Sequence, residues 1–175
     1  MRSTPTCDAM APSERRLLGP RLKATSRSFY LSVRILPRGM RRPVGLAYLL
    51  ARAADTLADS WGGPGAARTP LLDAFRACLA EAAAGRTPRA TLPPAPTGVP
   101  EAERELLDDL PAAFAFLASL PRELRAPIET VVATLAEGMR TDLTRFADAS
   151  PTAPVALTSA ADLDRYTYLI AGCVG

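Results

Sequence analysis

Apolar residues recur along this chain at helical spacing and nowhere alternate with polar ones over a useful length, so the pattern predicts helices and no sheet. Ser13 is placed to cap a first helix over roughly Glu14 to Lys23. Thr25 to Leu36 reads as helical, with an apolar face at Phe29, Val33 and Leu36, and Pro37-Arg38-Gly39 punctuates it. A strong helix follows from about Met40 to Asp59, with Leu46, Leu49, Leu50, Ala53 and Leu57 on its core face. Trp61 to Gly65 reads as a loop. Thr69-Pro70 then reads as an N-cap and first helical position, opening a helix to about Ala84. The Pro/Gly-rich segment 85–100 is a long loop. A helix from about Glu101 to Leu120 is kinked or divided at Pro111, and Pro121 opens the longest helix, to about Phe146. After a loop at 148–159, Ser159 caps a last helix, with Asp162 completing a weak capping box, and that helix runs apolar to Gly175. No period of 20–50 residues repeats. The expectation is one all-α bundle: a flexible leader over 1–12, then a helical domain over 13–175, truncated at its C-terminus.

The segment Tyr48-Leu-Leu-Ala-Arg52-Ala-Ala-Asp55-Thr-Leu-Ala-Asp59 departs from a plain core helix. At 3.6 residues per turn, Tyr48, Arg52, Asp55 and Asp59 share one stripe. Two carboxylates on neighbouring turns repel. A divalent cation shared with a phosphate-bearing ligand relieves that repulsion, because Mg²⁺ takes one or two carboxylates together with phosphate oxygens and water. The bland reading is a solvated face, with Arg52 in an ordinary i,i+3 salt bridge to Asp55 worth about 0.2–0.5 kcal/mol.

Composition narrows the chemistry. The 175 residues are 48% hydrophobic and 22% charged, as in an ordinary globular domain. A net charge of +3 gives no case for nucleic acid. There is no histidine, which removes His-based triads, metal sites and general bases from this chain. Cys7, Cys78 and Cys173 are too scattered for a zinc site or a disulfide framework, so a reducing, cytoplasmic setting is the simplest reading. The N-terminus lacks the apolar run of a signal peptide, and no apolar run approaches the ~18 residues of a spanning helix, so the chain reads as soluble or membrane-peripheral.

Three further clusters carry both a functional and a structural reading. In Thr25-Ser26-Arg27-Ser28-Phe29, hydroxyls around an arginine suit phosphate oxygens, while Thr25 or Ser26 equally suits helix capping. In Glu137-Gly138-Met139-Arg-Thr-Asp142-Leu-Thr-Arg-Phe146, a mid-helix glycine signals close approach, and Met139 and Phe146 either line an apolar pocket or fill the core. In Asp164-Arg165-Tyr166-Thr-Tyr168-Leu-Ile-Ala-Gly172, a tyrosine ring suits a carbocation, and core packing is the alternative.

Taken in order, segments 25–60, 137–146 and 162–175 resemble the squalene/phytoene synthase family, the head-to-head prenyl transferases, over about residues 20–175. The resemblance implies an isoprenoid-synthase-type helical bundle around an apolar cavity. It implies that two farnesyl or geranylgeranyl diphosphates are joined through a cyclopropyl intermediate with Mg²⁺. It implies metal binding by Asp55 and Asp59, a catalytic contribution from Arg52 and Tyr166, and substrate binding by Ser26, Arg27, Ser28, Phe29, Tyr48 and Met139. Tyr168 to Gly175 match the cavity-lining helix. NADPH enters only for a squalene-forming member, toward which the DTLAD form leans. Ala58 stands where some members carry an acidic residue. The family's second aspartate-rich motif falls beyond Gly175, so these residues read as half of a diphosphate clamp. A different class of function is also open: a catalytically incompetent helical protein that binds a prenyl lipid or a partner through its apolar face. Chain length of the substrate, product, oligomeric state and any peripheral membrane contact stay open.

Overall fold

Prolines set where the helices begin. The computed structural model describes residues 10–26, 28–147, 149, 150 and 152–174. Within it, α4 (Arg38–Asp55), α5 (Gly65–Ala83), α6 (Glu101–Asp108) and α8 (Arg122–Arg145) each start directly after a proline: Pro37, Pro64, Pro100 and Pro121. Each of these prolines has its φ fixed near helical values and its ψ extended, so the chain turns into the helix from a pre-set angle. The remaining elements are α1 (Pro12–Arg16), α2 (Leu22–Ser26), α3 (Phe29–Ile35), α7 (Leu110–Ser119) and α9 (Ala160–Ile170). No strand forms among the described residues; Ser150 and Ala153 make a single isolated bridge.

Several expected boundaries shift, each for a local reason. The first helix begins at Pro12, and residues 1–9 of the expected leader lie outside the described residues. Between α1 and α2 the chain makes a wide π-helical turn, Leu17–Arg21, around Pro20. A proline inside a helix cannot donate to the carbonyl four residues back and crowds it, and the wider turn relieves that crowding. The helix expected over Thr25 to Leu36 is instead the end of α2 followed by a separate α3. The fifth helix starts at Gly65 and not at Thr69. A Cβ at Gly65 would sit 2.6 Å from the Leu143 carbonyl oxygen, so glycine is what lets this helix start against α8. Thr69 donates its hydroxyl back to the Gly65 carbonyl at 3.2 Å instead of capping. Pro111 divides the 101–120 segment into α6 and α7, entering α7 in its first turn. Ser159 caps α9 as expected, its Oγ accepting from the Asp162 N–H at 3.1 Å. That helix does not run to Gly175: it ends at Ile170, and a short 3₁₀ turn, Gly172–Val174, follows.

Helix α8 packs against both α4 and α5 at the centre of the bundle, with α7 against α5 and α4. The face expected to enter the core does so: Leu46, Leu49, Leu50, Ala53 and Leu57 are all fully buried. Phe75 of α5 meets Phe114 of α7 at 5.6 Å between ring centroids. Helix α9 packs against α8, and Gly138 is the reason it comes close. A Cβ there would lie 2.9 Å from the Leu169 carbonyl oxygen. Gly138→Leu is therefore expected to lift α9 from α8 and to cost about 1–3 kcal/mol by overpacking. Urea unfolding together with amide exchange in α9 reads this; unchanged protection of α9 would contradict it. No helix among the described residues is long and apolar enough to cross a membrane.

Candidate functional site

The end of α4 carries the aspartates, and its geometry there is not plain α-helix. Residues Thr56–Ser60 form a second π-helical turn, with Thr56, Leu57 and Ala58 buried beneath it. Such turns insert one residue per turn and recur at functional sites. Asp55 remains half-buried at the last α-helical position, whereas Asp59 is exposed. The two stay close enough for Asp59 to raise the Asp55 pKa. Burial is the largest cause of that rise, Arg52 opposes it, and Asp59 and Glu103 add to it.

Arg52 is held from two sides. Its Nη1 donates to Asp55 Oδ2 at 2.6 Å, and its Nη2 donates to Glu103 Oε1 at 2.5 Å. Thr56 closes the group: its hydroxyl reaches the Arg52 carbonyl at 3.0 Å and Glu103 Oε2 at 3.2 Å. The bland expectation of an Arg52–Asp55 salt bridge is thus present, but it is one arm of a larger arrangement. No hydrogen bond or ion pair among the described residues engages Asp59, so its carboxylate is available to a ligand.

Tyr48 lies one turn before Arg52 on the same helix. Its ring stacks on Phe29 of α3 at 4.4 Å and 19°, and its hydroxyl donates to the Thr25 carbonyl at 3.3 Å. Burial raises the Tyr48 pKa, against the pull of Arg52. The α2–α3 corner is thereby fixed beside the aspartates' helix. Neither hydroxyl of that corner caps a helix. Thr25 donates to the Arg21 carbonyl at 3.0 Å, and buried Ser26 donates to the Leu22 carbonyl. Ser28 is exposed, and Arg27 lies outside the described residues.

The residues from the other end of the chain form a second group. Tyr166 of α9 meets Phe146 edge-on at 5.7 Å and 81°. Burial, then the neighbouring Asp142 carboxylate, pushes the Tyr166 hydroxyl pKa up, which keeps it protonated. Thr141, Arg145, Asp162, Arg165, Tyr166 and Leu169 line a cavity of about 170 Å³. Met139 packs part-buried against the core, and Tyr168 is exposed on α9. No hydrogen bond, ion pair or ring contact among the described residues joins this group to the Arg52–Asp55 group. A cavity of about 400 Å³ lies elsewhere: Leu57, Trp61, Cys78, Leu92, Leu107 and Phe114 line it, and Asp55 and Asp59 do not.

A cation is testable against this donor set. Among the described residues no three His, Cys, Asp or Glu side chains converge as a metal site. Two carboxylates with one shared by an arginine fit Mg²⁺ only when a ligand's phosphate oxygens complete the shell, which is how Mg²⁺ commonly binds. Glu103 was not legible as part of this group: it lies 51 residues from Arg52, on a helix segment already rich in charge, Glu101 to Glu105.

The squalene/phytoene synthase family model matches residues 22–175. The squalene synthase of Bos taurus is 30% identical over 154 residues, 88% of this chain and 32% of its own length. The human squalene synthase is 29% identical over the same shares, and that of Mycosarcoma maydis is 27% identical over 88% of this chain and 25% of its own. The solved complex of TcSQS with the ligand E5700 superposes with a TM-score of 0.69 at 25% identity, covering 93% of this chain and 42% of that one. The chain spans about a third of the length of the curated relatives it matches. Its helical bundle is of the isoprenoid-synthase kind, and the chain belongs to the squalene/phytoene synthase family.

Proposed function

We propose that this chain supplies one jaw of a head-to-head prenyl transferase site, the jaw that takes the diphosphate of a prenyl substrate. The observation that carries the reading is the Asp55–Asp59 pair, Asp55 at the end of α4 and Asp59 in the π-helical turn that follows, with Asp59 unengaged among the described residues and Asp55 shared with Arg52. Asp55 and Asp59 would hold Mg²⁺ from one side, and substrate phosphate oxygens would complete its shell. Mg²⁺, when bound, supplies positive charge against the diphosphate as it leaves. Arg52 brings a guanidinium to the same oxygens and adds charge-assisted hydrogen bonds. The stacked Phe29 and Tyr48 rings form an apolar wall beside this jaw. The C–O bond of one prenyl diphosphate would break with its electron pair going to the diphosphate, and the allylic carbon would then be attacked by a double bond of the second prenyl chain; the carbocation left on that chain would lose a proton, with the released diphosphate as acceptor, as the cyclopropyl ring closes. In this reading Tyr166 of α9, its hydroxyl kept protonated by burial and by the Asp142 carboxylate, would face the reacting carbons.

Product analysis tests the reading. The full-length protein, given farnesyl and geranylgeranyl diphosphate in turn with Mg²⁺, with and without NADPH, is expected to release a head-to-head coupled product from one of them. A head-to-tail elongated diphosphate as the sole product would contradict it.

A further inference from the structure

We infer that Glu103 is a positioning residue that keeps Arg52 from closing the cation site, a role that rests on the reading of Asp55 and Asp59 given above. The Glu103 side chain is only 11% exposed, and a carboxylate is retained in such a place only when it is paired and hydrogen-bonded. Both of its oxygens are used, one by Arg52 and one by Thr56. The α6–α7 segment has other ion pairs to hold it: Arg21 binds Glu105 of α6 and Asp109 at the α6–α7 junction, and Arg16 binds Asp109 at 2.5 Å. What Glu103 does alone is share the guanidinium. With it, Arg52 has a second anionic partner, so Nη1 can release Asp55 Oδ2 without leaving the guanidinium unpaired. Without it, the whole guanidinium charge turns to Asp55 and competes with a cation there.

The test measures free Mn²⁺ by electron paramagnetic resonance, with Mn²⁺ and inorganic pyrophosphate as probes for the 175-residue chain. Glu103→Gln is expected to weaken Mn²⁺ binding roughly tenfold, the size of one charge-assisted hydrogen bond. In an Arg52→Gln background, where there is no guanidinium to restrain, the same change is expected to cost less than about twofold, because coupled residues are non-additive. Glu103→Asp keeps the charge and shortens the reach; it is expected to show a loss in the same direction and serves if Glu103→Gln does not fold. A full tenfold loss that persists without Arg52, or a Glu103→Gln protein that melts earlier yet binds Mn²⁺ normally, would overturn the inference. Asp55→Asn run alongside separates the two claims. If it abolishes binding while both Glu103 variants leave it intact, this inference alone fails. If it leaves binding unchanged, the site reading fails and takes the inference with it.

Discussion

Asp55→Asn in the full-length protein is expected to lower product formation by about 100- to 1000-fold, the loss seen when one group that stabilises developing charge is removed. The substitution is close to isosteric, so the core face of α4 behind it stays packed. It removes one of the two carboxylates proposed to meet Mg²⁺ and leaves Arg52 with Glu103 as its other anionic partner. The loss is therefore expected in kcat/KM for the prenyl diphosphate, with little change in the unfolding midpoint. Steady-state assays over a Mg²⁺ series check it: raising Mg²⁺ is expected to recover only part of the activity. Wild-type turnover by Asp55→Asn would remove the diphosphate role from this helix.

Phe75→Ala is expected to destabilise the fold by about 3–5 kcal/mol, the range for removing a fully buried phenylalanine. Phe75 stands between α5 and α7, against Phe114, in the same core cluster as Leu50, Leu57 and Ala58. Those last residues carry Asp55 and Asp59 on their outer side. The cavity left by the ring adds to the lost transfer energy, because the α5–α7 contact is held by backbone on both sides and collapses only in part. A urea midpoint reads the loss. The prediction extends to function: the variant is expected to bind Mn²⁺ with pyrophosphate more weakly in proportion to its unfolded fraction, unlike Asp55→Asn, which loses binding while folded. A change under about 1 kcal/mol would show that this aromatic contact is dispensable.

The elements were legible where a residue dictates backbone geometry. Pro111 and Pro121 marked real helix starts, and Ser159 with Asp162 marked the cap of α9. Gly138 announced the α8–α9 approach, because a mid-helix glycine has a cost that close packing repays. The two π-helical turns were not legible, since apolar spacing does not register one added residue per turn. Thr69-Pro70 carries a sound capping signal, yet α5 begins earlier, directly after Pro64, and what permits this, the missing Cβ of Gly65 against the Leu143 carbonyl, depends on a contact 78 residues away. The same limit applies at the site. Arg52 and Asp55 are neighbours in sequence and were read as a pair, but the partner that decides how Arg52 is shared, Glu103, comes from another helix. Ser26 shows the opposite case: its place in the motif was legible, and the turn of its hydroxyl back to the Leu22 carbonyl was not.

In the proposed site, Asp55 and Asp59 together meet a divalent cation shared with a prenyl diphosphate. A crystal of the protein grown with Mn²⁺ and a non-cleavable farnesyl thiodiphosphate, measured for anomalous scattering at the manganese edge, tests it most directly. An anomalous peak is expected within about 2.0–2.3 Å of carboxylate oxygens from both residues, with thiodiphosphate oxygens on its other side. A peak that sits away from both aspartates, with the Arg52–Asp55 pair unchanged beside a bound diphosphate, would contradict it.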